Sequence, residues 1–595
     1  MILLDTTLER TLDAWERQYS GPAWRGATLE GWLFEGRPAR QAAQARLARA
    51  GIAAQLRSAY KPLLHFFLEE ADLDGLAAVT VHYPVHPLAR PNRYTLEAHP
   101  LADLLGAASL QFVTGTADLH YQVHLRYADG RQRHARVYAP NAAADADDGT
   151  PLLSPTGWLR VHDAAGAVVA DAACGTEYRA AFDAAVDAVR QHPWGTQAPH
   201  FERLDIRIDL PGVEFDAGGD AGLVSTCEAL HEDLYFTLIE FFQRQAGLPP
   251  GDRRLQPGQI VPDIRLADGP ARVHVATRAF DPPEPVPAEP CQPLEHAGAP
   301  LSPAQIAAHL AALGGEALQA TSRQGRPVPG TYLAGPGPAV FISGGQHANE
   351  TSGIVGALRA AHILRATGTA HFALVAAENP DGYALHRELC AHHPRHMHHA
   401  ARYSALGDDV AYRASEPLLE QHARRAALAR SGARLHINLH GYPAHEWTRP
   451  LSGYLPRQFE SWTLPKGFFL LLRHHTGWGE VAEQLMNGVC ARLARVPGLV
   501  AFNARQAARY EAHAMEKGFD TRHGIACVVA ETEQEMAPLS LISEFPDETV
   551  YGDAFRYAHT VQMETVLAAT AVFQDVARLC PDRAGWRGLD GGRAA

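Results

Sequence analysis

The sequence predicts a two-part chain of mixed α and β structure, with an α+β first part and an α/β second part. Three observations predict it. Between Asp281 and Pro303 the run DPPEPVPAEPCQPLEHAGAPLSP holds eight prolines, a sharp break in composition. Proline there favours an extended, semi-rigid connection. Before the break, strand patterns adjoin strand patterns, which suggests antiparallel pairing. After it, short apolar runs end at polar residues and alternate with helical stretches, as strands buried on both faces do. The expected division is an accessory domain at 1–280, a linker at 281–303, a second domain at 304–575 and a tail at 576–595.

In chain order, Leu119–Tyr127 alternates apolar and polar residues and reads as a half-buried strand. Ala144–Gly149 is a polar loop. Trp158–Asp171, with Ala165-Gly166 at its centre, reads as a hairpin, and Leu204, Ile206, Ile208 and Leu210 mark another strand. Ser225 and Glu228 form an S-x-x-E capping box ahead of a helix ending near Phe242. That helix carries Glu228, His231 and Glu232, which lack the spacing of known zinc helices and read as a polar face. No chemistry is read in this half. Beyond the linker, AVFIS leads into GGQHANE, Leu374–Ala377 into ENPDGY, Leu435–Leu439 into HGYP and Ile525–Ala530 into ETE. Helical stretches lie between, such as Gly353–Leu364 and Val481–Ala494.

The 595 residues are 46% hydrophobic and 20% charged, an ordinary globular balance with length enough for a sizeable core. A net charge of −13 disfavours a nucleic-acid binder, and no apolar run is long enough to span a membrane. Seven scattered cysteines without a CxxC, and a start with no signal pattern, place the expected protein in the cytoplasm.

The candidate chemistry starts at His347-Ala-Asn-Glu350. If a helix begins there, His347 and Glu350 share one face and can grip one cation. A hydrolytic zinc site needs three protein ligands and an open position. His440, in INLHG at another strand end, supplies the third. A general base that is not a ligand is also needed. CVVAETEQE offers Glu531, Glu533 and Glu535, and Glu531 is chosen because it directly follows the apolar run.

SRQGRPVPGTYL (322–333), GGQHANETSG (344–353), NPDGY (379–383), NLHG (438–441) and VVAET (528–532) stand in the order seen in M14 zinc carboxypeptidases, which residues 300–575 resemble. The resemblance implies a mixed, mainly parallel eight-stranded sheet with flanking helices. It implies one Zn²⁺ held by His347, Glu350 and His440, with Glu531 as base and Tyr510 as the family's mobile tyrosine. It implies arginines that hold the substrate, for which Arg387, Arg402 and Arg413 are the candidates. Asn349 stands where the family's HxRE motif has arginine, so it donates a hydrogen bond without charge. The implied reaction removes a C-terminal residue from a peptide or peptide-like substrate with a free carboxylate. Two other readings remain: a zinc deacylase of small acyl-amino acids, and a non-catalytic binding protein on the same fold.

Two stretches stay open. His386–His399 holds six histidines and reads as a solvated loop or a second metal site. Gly441–Trp478, with Tyr442, Trp447, Tyr454, Phe459, Trp462, Phe468 and Phe469, reads as a pocket wall or a core layer.

Overall fold

The computed structural model describes residues 1–146, 149–218, 222–283, 292–368, 371–456, 462–515 and 519–579. The chain forms two compact units. The first takes Met1–Ala279 together with His445–Leu464 and Arg509–Lys517; the second takes Phe280–Ala444, Pro465–Ala508 and Gly518–Ala595. The first break falls at the start of the proline-rich stretch. Most of that stretch lies outside the described residues, but its end does not behave as a free linker: Leu294, Ala297 and Leu301 are buried in the core of the second unit. The expected tail begins inside a helix, Asp553–Leu579, and its remainder lies outside the described residues.

Among the described residues, three four-stranded sheets and two short hairpins build the first unit. The alternation read at Leu119–Tyr127 is a strand, His120–Tyr127, whose Tyr121, Val123, Leu125 and Tyr127 point into the core. Arg203–Leu210 and the Trp158–Asp171 hairpin also form as expected. The expected all-antiparallel pairing does not hold. Each four-stranded sheet contains one parallel pair, such as Arg203–Leu210 with Gln259–Leu266. The segment read as a polar loop at 144–149 starts within a strand, Asn141–Asp145, that pairs with Pro151–Pro155.

The helix Thr226–Gln245 is capped by the Ser225 side chain, which accepts from Glu228 N. Its acidic residues are no solvated face. Glu228, His231, Glu232 and Asp233 are all buried. Both Glu228 carboxylate oxygens lie 2.9 Å from His445 Nε2, and Asp233 accepts from the backbone of Leu451 and Ser452. A buried charge is tolerated only when partnered, and here the partners come from the distant segment 445–464.

The second unit holds one nine-stranded sheet. Its strands are β1 (Glu316–Thr321), β2 (Pro327–Leu333), β3 (Val340–Gly344), β4 (Phe372–Val375), β5 (Leu435–Pro443), β6 (Phe469–His474), β7 (Thr521–Arg522), β8 (Ile525–Glu531) and β9 (Leu539–Glu548). They lie in the order β1-β2-β4-β3-β5-β9-β6-β8-β7. Neither the expected strand number nor the mainly parallel character survives, because four neighbouring pairs are parallel and four antiparallel. The parallel core is β4-β3-β5-β9. Strands β5 and β9 are buried along nearly their whole length, which fits helices on both faces. Among the described residues no helix is long and apolar enough to cross a membrane.

Two of the sequence motifs act as scaffolding. Asn379 caps the helix Pro380–Cys390 by accepting from Gly382 N, with Pro380 at the first turn. Asp381 then accepts from Ser322 Oγ at 2.7 Å and from Arg326 Nη1 at 2.9 Å. SRQGRP and NPDGY therefore hold each other.

Candidate metal centre

Because β4, β3, β5 and β9 run parallel and adjacent, their C-terminal ends share one edge of the sheet. Open α/β sheets bind ligands at such an edge. Just past β3 the chain turns at Gly345, where φ is +62° and a Cβ would meet Ile354 at 3.1 Å. The turn delivers His347 and Glu350 ahead of the helix Ser352–Thr367. His440 comes from within β5, and Glu548 is the last residue of β9.

The three expected ligands meet. His347 Nδ1 lies 2.8 Å from Glu350 Oε1, His440 Nδ1 lies 2.8 Å from Glu350 Oε2, and the two Nδ1 atoms are 3.0 Å apart. Donors bound to zinc at about 2.0–2.2 Å stand roughly 3.3 Å from one another, so the site needs little adjustment to close on an ion. Among the described residues no other group brings three such donors together. The groups behind the ligands fit as well. Asp409 Oδ2 lies 3.3 Å from His347 Nε2, the nitrogen facing away from the centre. Gln346 donates to Asp409 Oδ1 and is itself held by Arg424 and Asn438. Gly441 N donates to Glu350 Oε2 at 3.1 Å. Outer partners of this kind fix ring orientation and ligand basicity.

Charge favours the ligand forms. Burial alone would raise the Glu350 pKa, but His347, Arg402 and His440 together hold it well below the usual carboxylate range. Burial pushes His440 down to about 4, so its ring is neutral. The two imidazoles and one carboxylate suit zinc or a similar borderline divalent ion.

Glu531 does not belong to this centre. Strand β8 runs antiparallel to β5, and Glu531 pairs with His474, which pairs with Leu539, which pairs with Leu435. It is therefore level with the start of β5, about 17 Å along the sheet and about 14 Å across it from His440. There it is exposed and accepts from Thr476 Oγ1. Glu533 accepts from Thr476 N and Glu535 pairs with Arg473, so the neighbouring acids are no substitutes.

The carboxylate that the sequence reading missed is Glu548. It is buried, and its Oε2 accepts from Asn349 Nδ2 at 2.7 Å. Its Oε1 has no hydrogen-bond partner. Burial pushes its pKa up to about 8, with His399 opposing and Glu350 reinforcing. Asp547, one residue earlier, accepts from Ser352 N at the start of the helix Ser352–Thr367. Burial pushes it up to about 7. Gly441 admits this carboxylate: a Cβ there would sit 1.9 Å from Asp547 Oδ1. Gly441→Ala is expected to cost at least about 1–3 kcal/mol from overpacking, read as a lower unfolding temperature. Unchanged stability would show that Asp547 is free to move.

The remaining candidates separate. Arg402 reaches the centre, where its Nη1 donates to Glu350 Oε1 at 2.7 Å and its Nε is buried without a partner. Arg413 is consumed by Asp408, Glu420 and Ser404 in a buried ion-pair network. Arg387 is exposed on the helix Pro380–Cys390 and donates to Leu301 O. Tyr510 belongs to the first unit, where it is packed with Leu96, Tyr454, Leu455 and Leu464.

The six histidines of 386–399 are no solvated loop. His386, His396, His398 and His399 are buried, and burial pushes His386 down to about 4. His386 contacts the Cys390 thiol, and His398 Nε2 bonds to His393 O. They do not assemble a second three-ligand group. The aromatic stretch divides between the units. Trp447 stacks on Phe236 in the first, while Tyr442 and Phe469 pack together in the second; Phe459 lies outside the described residues.

No protein-family model and no curated protein matches the chain. Solved structures are similar over about half of it. A metallo-carboxypeptidase from Burkholderia cenocepacia is 15% identical, with 52% of this chain and 76% of that one covered and a TM-score of 0.28. A succinylglutamate desuccinylase/aspartoacylase from Rhodobacter sphaeroides is 13% identical, with 43% and 63% covered and a TM-score of 0.25. A succinylglutamate desuccinylase from Silicibacter sp. TM1040 is 12% identical, with 44% and 68% covered and a TM-score of 0.26.

Proposed function

We propose that the chain is a zinc-dependent hydrolase of an amide bond that lies next to a free carboxylate, as at the C-terminus of a peptide. The observation that carries this reading is the meeting of His347 Nδ1, Glu350 and His440 Nδ1 beside a buried carboxylate oxygen, Glu548 Oε1, that has no partner. His347, Glu350 and His440 would hold the ion, which supplies Lewis acidity to a carbonyl and lowers the pKa of water.

The chain's own residues do the rest. Asn349 fixes Glu548 through Oε2 and so aims Oε1; in its ionised form, which a cation held by the neighbouring ligands would favour against burial, Oε1 takes a proton from the attacking water and returns it to the leaving nitrogen. Arg402 presents its unpartnered Nε as a donor for the oxygen that gains charge as the carbonyl is attacked. Burial of the centre excludes bulk water and strengthens both interactions. Arg402→Gln is expected to lower kcat by roughly 10²–10³-fold with zinc retained. A change in KM alone would assign Arg402 to ground-state binding instead.

A second reading, deacylation of a small acyl-amino acid, is favoured by one observation. With Arg387 and Arg413 engaged elsewhere, Arg402 is the single candidate guanidinium at the centre, a sparse arrangement that suits a small substrate. Peptides with free and with amidated C-termini, assayed beside N-acyl amino acids, separate the two. Cleavage of free-carboxylate peptides but not their amides supports the carboxypeptidase. Turnover of acyl-amino acids alone supports the deacylase. No hydrolysis of either by zinc-loaded protein sinks both.

A further inference from the structure

Outside the metal centre, a group of metal-binding side chains stands in the open on a sheet of the first unit. Its strands lie in the order Ser109–Thr114, Leu76–Tyr83, His120–Tyr127, Gln132–Tyr138. One face of the strand His120–Tyr127 is core. The other presents His124, which is exposed. Directly opposite, in register, is His134 of the neighbouring strand, also exposed. His82, on the other neighbour, is paired with Gln122 and so lies diagonal to His124 on the same face. The ring centroids are 4.3 Å apart for His124–His134 and 5.3 Å apart for His82–His124.

We propose that this sheet face carries a second metal site, a cross-strand chelate made by His124 and His134 with His82 beside it, for a borderline divalent transition ion such as Cu²⁺, Ni²⁺ or Zn²⁺.

Sheet geometry makes the chelate. Side chains directly opposite one another have Cβ atoms about 4.5–5.5 Å apart, and diagonal neighbours about 7–8 Å, within reach of an imidazole. The strand His120–Tyr127 is pinned by core residues on its other face and holds Gln132–Tyr138 in register, with Val137 buried, so the two rings are pre-positioned and little ordering entropy is lost on binding. The rings form no ion pair with an acid, unlike His120, whose Nδ1 lies 3.7 Å from Asp118 Oδ2. Their same-face neighbours along the strands are Thr80, Gln122, Arg126, Gln132 and Arg136, with no carboxylate among them. An ion pair therefore does not account for the cluster. Slight burial and the nearness of His134 and His82 hold the His124 pKa below its usual value, so the ligand form is already present near neutrality. The site differs from the buried centre in kind: two imidazole nitrogens with His82 beside them, no carboxylate, and water filling the remaining positions. Such a donor set ranks divalent ions in the Irving–Williams order, with Cu²⁺ tightest.

The test uses the full chain, without a histidine tag and carrying His440→Ala so that the buried centre does not compete. Cu²⁺ is titrated by calorimetry, and the bound ion is examined by electron paramagnetic resonance. One equivalent with nitrogen coupling is expected. Adding His124→Ala or His134→Ala should weaken it by roughly tenfold or more, since an outer partner alone is worth 10–100-fold. His82→Ala should weaken it less, and His422→Ala, at an exposed position elsewhere, should not. In the otherwise native chain, His124→Ala with His134→Ala should leave the zinc of the buried centre and hydrolysis intact. Equal Cu²⁺ affinity with and without His124 and His134 would overturn the proposal, as would loss of the buried zinc when only these two surface residues are changed.

Discussion

Replacing Glu548 with glutamine is expected to lower turnover by about 10²–10⁴-fold while the protein keeps its metal. Glutamine preserves shape but takes no proton. Asn349 Nδ2 now donates to Glu548 Oε2 at 2.7 Å, and a glutamine placed with its oxygen toward Asn349 keeps that bond. The atom that changes is then the unpartnered one, Oε1. Glu548 is outside the ligand group, so zinc content should not fall. KM should move little, because the carboxylate acts mainly in the transition state. Glu531→Gln is the matched control. It removes an exposed charge whose bond from Thr476 Oγ1 a glutamine oxygen still accepts, far from the centre, and should leave rates unchanged. A dead Glu531→Gln with an active Glu548→Gln would mean that β8, and not β9, delivers its last residue to the centre. Wild-type rates in both variants would leave the centre without a base, and the chain would be better read as a binding protein.

The contrast between these two glutamates shows what the sequence carried and what it did not. His347 and Glu350 were legible because their relation is local: two residues three apart, after a short apolar strand and a glycine turn. His440 was legible as a polar residue closing a fully apolar run. The base was not, because two apolar runs end in acids, IACVVAE and LSLISEFPDE, and their direction in the sheet is set by pairing with distant strands. Strand β8 runs away from the centre and β9 toward it. A signal was present. Ser543 sits within a largely apolar run, is buried and donates to Gln562 Oε1, as expected of a central strand with hydrogen-bonding neighbours rather than an edge-proximal one. For Tyr510, likewise, a spacing of residues along the chain says nothing about which unit a helix end joins. The division of the first unit into three segments was likewise invisible, since 445–464 has no compositional break and is recruited by long-range partners such as Glu228–His445. The histidine-rich stretch misled through composition, because imidazoles that are neutral can be buried as ordinary core side chains.

His347→Ala and His440→Ala are each expected to abolish zinc binding and hydrolysis together. A three-ligand site loses most of its affinity with any one ligand, and the binding free energy of a structural or catalytic zinc is large. The fold should survive the loss. Glu350 keeps Arg402 Nη1 at 2.7 Å and the Gly441 amide in either variant, so its buried carboxylate is never left without a partner. The check is elemental analysis after dialysis against a weak chelator, read beside the unfolding temperature with and without added zinc. The native protein should gain stability with zinc by mass action, roughly 2.7 kcal/mol at a hundred times the dissociation constant, and the two variants should gain none through this centre. Glu350→Gln should behave alike and, in addition, leave Arg402 without its carboxylate. Asp409→Asn belongs between the native protein and these variants: it keeps all three ligands but weakens the group behind His347 Nε2, so affinity should fall by about 10–100-fold without vanishing. Full zinc occupancy in both His347→Ala and His440→Ala would end the assignment of the centre. Full occupancy in one of them alone would show that the ion is held by a different set of donors, with the retained histidine and Glu350 as its only common members.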